Sequence, residues 1–163
     1  EAFELRDIDN KEYLGKSVLK AIEKVNVEIS KALLGQSSED QSKVDEMMID
    51  LDGTEKKKRL GANAILSVSL AINKANAVSK NIPLYKNIGN GKTLPMPLMN
   101  IINGGVHANN SLRIQEFMIR PDKAENFKEA LNICFLVIQK LKIFINSKNL
   151  STTVGDEGGF APT

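Results

Sequence analysis

Asp156 and Glu157 stand side by side between Gly155 and the pair Gly158-Gly159, directly after Ser151-Thr152-Thr153-Val154. That short β-branched run reads as a strand ending at Gly155. In barrels and open α/β sheets the carboxyl end of a strand hosts the chemistry, and glycines let the backbone approach a ligand closely. Adjacent side chains tend to face apart, so one acid of the pair is expected to reach a substrate. The same turn would also suit a metal ligand or a helix cap.

A second acid, Glu116, lies in the apolar run Leu112 to Arg120. Read as a strand, this run puts Glu116 on one face with Leu112, Ile114 and Met118, and Gln115 on the other with Phe117 and Ile119. An ionised carboxylate among apolar neighbours needs a cation, hydrogen bonds or a raised pKa. A structural ion pair meets that need as well as a catalytic role does. His107, the single histidine, occupies the loop Asn103-Gly104-Gly105-Val106-His107-Ala108-Asn109-Asn110. Histidine titrates near neutrality, so there it binds an anion, moves a proton or is simply exposed.

The elements that would position these residues follow from hydrophobic spacing. Leu94 to Ile102, broken by Pro95 and Pro97, reads as a buried strand, and Asn103 to Ser111 as the loop that turns it into the second strand. A hairpin of this kind places His107 at the carboxyl end of the first strand and brings Glu116 in from the same end. A third strand parallel to the first would deliver Glu157 there too, so His107, Glu116 and Glu157 converge. Asp122 to Asn146 has a wide apolar face and reads as a long helix.

Upstream the pattern is helical. Gly15 to Leu34 carries Val18, Leu19, Ile22, Val25, Ile29, Ala32 and Leu33 at helical spacing, with Gly35 as a stop. Ser38-Glu39-Asp40-Gln41 has capping-box spacing, opening a helix to about Leu51 before the Asp52-Gly53 turn. Gly61 to Lys80 predicts a closely packed helix, and Pro83-Leu84-Tyr85 a short further turn. Gly89-Asn90-Gly91-Lys92 is the best linker, placing a boundary near residue 93. The fold class is α/β: a mainly helical part of a domain over 1–93, then the strand, strand, helix, strand start of a second over 94–163.

Twenty-two basic and twenty acidic residues nearly cancel, and the longest basic block is Lys56-Lys57-Lys58-Arg59, so no nucleic-acid partner is expected. No segment is a run of ~18 continuous apolar residues, so membrane insertion is not expected either. The lone Cys134, in an apolar run, fits inert core packing and a reducing, cytoplasmic setting. The chain opens on Glu1 without methionine and stops after a glycine-rich turn, the layout expected of a fragment.

Leu60-Gly61-Ala62-Asn63-Ala64-Ile65-Leu66-Ser67-Val68-Ser69-Leu70, Asn100 to Pro121 and Thr153 to Pro162 occur in one order, with Met48-Ile49-Asp50-Leu51-Asp52-Gly53-Thr54 and Asn81-Ile82-Pro83-Leu84-Tyr85 interspersed. Together they resemble enolases over essentially the whole chain. The resemblance implies part of an α+β N-terminal domain (incomplete here), then the start of an enolase-type α/β barrel whose second strand is antiparallel. It implies a lyase, phosphopyruvate hydratase, that interconverts 2-phosphoglycerate and phosphoenolpyruvate in glycolysis and gluconeogenesis. Glu157 then corresponds to the acid protonating the departing 3-hydroxyl, and Glu116 to the glutamate that assists and contacts substrate. Gln115 matches a neighbouring substrate-site position, and His107 lies on a mobile loop that closes over substrate. The resemblance also implies magnesium, with no ligands for it in this chain, and a homodimer. The family's lysine base, metal carboxylates and phosphate-binding cations would fall outside residues 1–163, leaving this piece inactive alone. A non-catalytic scaffold derived from an enolase, or another metal-dependent barrel enzyme, are the competing readings.

Overall fold

A computed structural model describes residues 1–163, which form two compact units, Glu1–Gly91 and Lys92–Thr163.

The first unit is helical. Its first long helix begins as α1 (Leu19–Glu23), passes through π-helical turns at Lys24–Ile29 and ends as α2 (Ser30–Leu33). It starts later than Gly15 because the carboxylate of buried Asp7 accepts the amides of Leu19 (2.6 Å) and Lys20 (3.1 Å), satisfying the first turn there. The Ser17 hydroxyl donates to the same carboxylate at 2.6 Å, and this bond, ahead of the backbone ones, holds the Asp7 pKa below its ordinary value. The expected apolar stripe is also displaced. Two regular turns before Ile29 lies Ile22, but the wide π turns insert one residue, so Ala21 is buried with Ile29 while Ile22 and Leu19 are exposed.

Helix α3 (Gln41–Asp52) is capped by Asp40, whose side chain accepts from Lys43 N at 3.0 Å, rather than by Ser38. Its end is the expected turn. Gly53 takes φ +67° and donates to Ile49 O at 3.0 Å, while buried Asp52 accepts from Leu60 N at 2.7 Å. Helix α4 (Ala62–Ser79) follows, then α5 (Leu84–Ile88). Ile29, Val44, Met48, Leu60, Ala64 and Ile65 make one core between these helices. Full burial contributes about 1.5–3 kcal/mol for each of the larger side chains among them. Gln41 Nε2 ties α3 to α4 through Ser69 O at 3.1 Å. Asn63 pairs in both directions with Leu5, its Oδ1 accepting from Leu5 N and its Nδ2 donating to Leu5 O, each at 3.0 Å. The asparagine of the Gly61-Ala62-Asn63-Ala64 stretch thereby holds the N-terminal segment as a neighbouring strand would.

In the second unit β1 (Met99–Asn103) and β2 (Glu116–Ile119) pair antiparallel, the expected hairpin, with Met99 opposite Ile119 and Asn103 opposite Glu116. Both strands are shorter than their apolar runs. Pro95 and Pro97 have no N–H to donate, and the carbonyls of Leu112 and Gln115 are taken by Gly105 N and Gly104 N in the loop. The register shifts between Asn100 and Ile102, and Ile101 O there accepts instead from Phe160 N at 2.9 Å. Helix α6 (Phe127–Ser147) starts at Asn126, whose side chain accepts from Glu129 N at 2.9 Å. Cys134 is buried on it as a free thiol.

One expectation changes here. Ser151 to Val154 is not a strand; only Val154 forms a bridge, antiparallel to Phe160, and the parallel bridge to β1 is made by Phe160 with Ile102. The chain therefore folds back at the glycine turn before it meets β1. Helix α6 has the length and composition of a membrane-crossing helix, although, as expected, charged residues interrupt its apolar run. Its exposed Phe135, Leu136, Ile143 and Phe144 are what a helix covering a sheet would bury.

Candidate functional site

The site is built where β1 ends. Gly104 N donates to Gln115 O at 3.0 Å and Gly105 N to Leu112 O at 2.7 Å, folding the loop onto the entry to β2. A Cβ on Gly104 would stand 2.4 Å from Ile114 O, so only glycine permits this approach. A 3-10 turn, Gly105–His107, then presents the imidazole.

The acidic turn closes on itself and on that loop. Gly155 N donates to Gly159 O at 2.9 Å, Gly158 N to Gly155 O at 3.1 Å, and Asp156 N to His107 O at 3.0 Å. Asp156 and Glu157 separate as their adjacency requires. Asp156 is exposed, and Glu157 joins His107 and Glu116 in a group in which one ring nitrogen and one oxygen from each carboxylate lie within 4.8 Å of one another. His107 Nε2 is 3.7 Å from Glu157 Oε1.

Gln115 departs from the expected alternation. It contacts His107 Nε2 through its side-chain amide although Glu116, its neighbour, serves the same group. Strand pairing begins only at Glu116, so Gln115 is free of the pleat and turns to the same side.

Nor is Glu116 enclosed between apolar faces: it is half-buried, and Ile114, Phe117 and Met118 beside it are exposed. Its pKa is raised from the ordinary 4.5, first by a side-chain hydrogen bond with Glu157 and next by burial; His107 acts the other way. Two carboxylates this close hold one proton between them more readily than they hold two charges.

Sequence reasoning passed over Asn103. This fully buried residue accepts Gly159 N on its Oδ1 at 2.8 Å, points its Nδ2 at Gln115 O at 3.5 Å, and accepts Asn110 Nδ2 on its backbone carbonyl at 2.9 Å. An asparagine closing an apolar strand ahead of Gly104-Gly105 was the one available signal.

His107, Glu116 and Glu157 are also the one group with three metal-capable side chains in mutual reach. An imidazole with two carboxylates is a transition-metal donor set; magnesium takes oxygen ligands in a near-ideal octahedron. The group does not fit magnesium.

A carboxylate pair beside an imidazole, at the carboxyl end of a strand in an incomplete α/β fold, is an arrangement suited to acid-base chemistry. Residues 1–88 match the family model of the enolase N-terminal domain, and residues 91–163 that of the enolase C-terminal TIM barrel domain. The chain is 63% identical over 164 residues to a protein from Pelagibacter ubique (strain HTCC1062) named "Enolase". That match covers 99% of this chain and 39% of the relative's length. The chain belongs to the enolase family.

Proposed function

We propose that residues 1–163 are a segment of an enzyme that reversibly dehydrates 2-phospho-D-glycerate to phosphoenolpyruvate, and that this segment carries the acid side of the reaction. The observation behind the reading is the Glu116–Glu157 pair beside His107, with Glu116 held toward its protonated form by Glu157. Expelling a hydroxyl group requires a proton at the departing oxygen, and an ordinary carboxyl has lost its proton at neutral pH. A carboxyl whose pKa a neighbouring carboxyl raises keeps its proton to higher pH than an ordinary one. Glu157, the more exposed member at the glycine turn, delivers that proton; Glu116 holds it in reserve and contacts the substrate. His107 meets the anionic substrate from its loop, and Gln115 orients the ring.

Magnesium, when bound, would offset the doubly charged enolate that forms when a proton leaves the carbon beside a carboxylate. Because the His107 group is unsuited to it, we assign its ligands and the lysine base to the rest of a full-length chain. The isolated segment is then inactive. The family resemblance further supports a homodimer, and the single buried thiol a cytoplasmic setting.

The test is Glu157→Gln in the full-length chain. Turnover is expected to fall by roughly 10²–10⁴-fold, and near-native turnover would remove the acid assignment. Dehydration of 2-phosphoglycerate by purified 1–163 would overturn the division of labour.

A further inference from the structure

We infer that Asn103 is a positioning residue that sets the acidic turn against the histidine loop; this rests on the function proposed above. Three chain segments carry that chemistry, and Asn103 bonds to all three. Its Oδ1 takes the N–H of Gly159, at the far end of the turn bearing Glu157. Its Nδ2 faces the carbonyl of Gln115, the residue before Glu116. Its main-chain carbonyl takes the Asn110 amide in the loop bearing His107.

The contact has almost no slack. A Cβ on Gly155 would be 2.7 Å from Asn103 Cβ, and one on Gly159 would be 2.8 Å from Asn103 Oδ1 and Ile102 N. The turn thus lies directly on the asparagine, and both glycines flanking the acids are needed for it to do so. The polarity of the amide is settled by its surroundings: an N–H at one end demands an acceptor, and a carbonyl at the other tolerates only a donor. Aspartate would supply the acceptor but, once ionised, would set a charge against the Gln115 carbonyl. Asn103 touches none of the reacting groups. Its effect is transmitted through the separation of Glu157, Glu116 and His107.

Loss of this clamp should therefore lower the chemical step more than substrate binding, since a displacement of about 1 Å in a catalytic group costs roughly 10²-fold. The experiment uses the full-length, magnesium-loaded enzyme, with kcat and KM referred to the concentration of folded protein. Asn103→Ala is expected to lower kcat by roughly 10- to 100-fold with KM changed little. A role in folding alone would reduce the folded fraction and leave kcat per folded molecule at the native value, which would overturn the inference. Should the alanine variant not fold, Asn103→Asp is decisive. Its kcat relative to native should fall as pH rises and the new carboxyl ionises; a ratio near one at every pH would overturn the proposal. Glu157→Gln, measured alongside, keeps the two readings apart. If it abolishes turnover while both Asn103 variants match native kcat, the acid stands and the clamp fails; if it turns over normally, the acid assignment itself fails.

Discussion

The backbone carbonyl of His107 accepts the N–H of Asp156 at 3.0 Å, so the loop with the only histidine and the turn with the paired acids are joined through main chain. A Cβ on Gly155 would lie 2.5 Å from that same carbonyl. Gly155→Ala must push the turn away from the loop and carry Glu157 with it. Turnover of the full-length variant should drop by roughly 10²-fold, with an intact far-ultraviolet circular dichroism spectrum. Native turnover would mean that the contact is dispensable.

The raised pKa of Glu116 has a consequence for stability. Its folded pKa lies above 4.5, so from pH 4.5 upward the folded state binds the proton more tightly than the unfolded chain does. Stability from this group is therefore greatest below 4.5 and declines as pH rises through the folded pKa. Glu157→Gln removes the carboxyl whose hydrogen bond, and after burial whose charge, raises that pKa. Its Tm in the full-length protein should match native at about pH 3.5 and exceed it at about pH 8. A Tm difference that does not change with pH would show that the two carboxylates do not repel.

Asp40 and Ser38 compete as the residue that opens α3. Asp40 accepts from Lys43 N, whereas the Ser37 hydroxyl, not that of Ser38, accepts from Glu39 N in the preceding turn. Asp40→Ala should cost about 1 kcal/mol by denaturant unfolding, and Ser38→Ala close to nothing. The reverse order would restore the capping box.

Met48, fully buried, sits within the core of the first unit. Met48→Ala leaves a cavity among packed side chains and should destabilise by about 2–5 kcal/mol, read as a lower urea midpoint. Ile22→Ala, on a side chain left half-exposed by the π turns, should cost far less. Equal costs would return Ile22 to the buried stripe.

Much of this was legible locally. Helices α3, α4 and α6 follow from apolar spacing, the end of α3 from Asp52-Gly53, and the hairpin from two apolar runs around a glycine loop. Where the reading slipped, a distant partner had intervened. Asp7 set the start of α1 from twelve residues away, and one residue inserted by a π turn moved the buried face from Ile22 to Ala21. The strand expected at Ser151 to Val154 lacked a neighbour, because Phe160 had taken the place beside β1.

By itself the sequence determined the family, the helical first unit, the hairpin, and the four side chains His107, Gln115, Glu116 and Glu157 as candidates. Periodicity, turn chemistry and ordered motifs are written within a few residues of one another. Tertiary structure alone decided that Gln115 and Glu116 serve one site from adjacent positions, that Glu116 is the acid pushed toward its protonated form, and that Asn103 holds the turn. Each of these depends on a contact between segments far apart, 56 residues in the case of Asn103 and Gly159. No local pattern records a contact of that kind, because its energy exists only once both segments have been brought together.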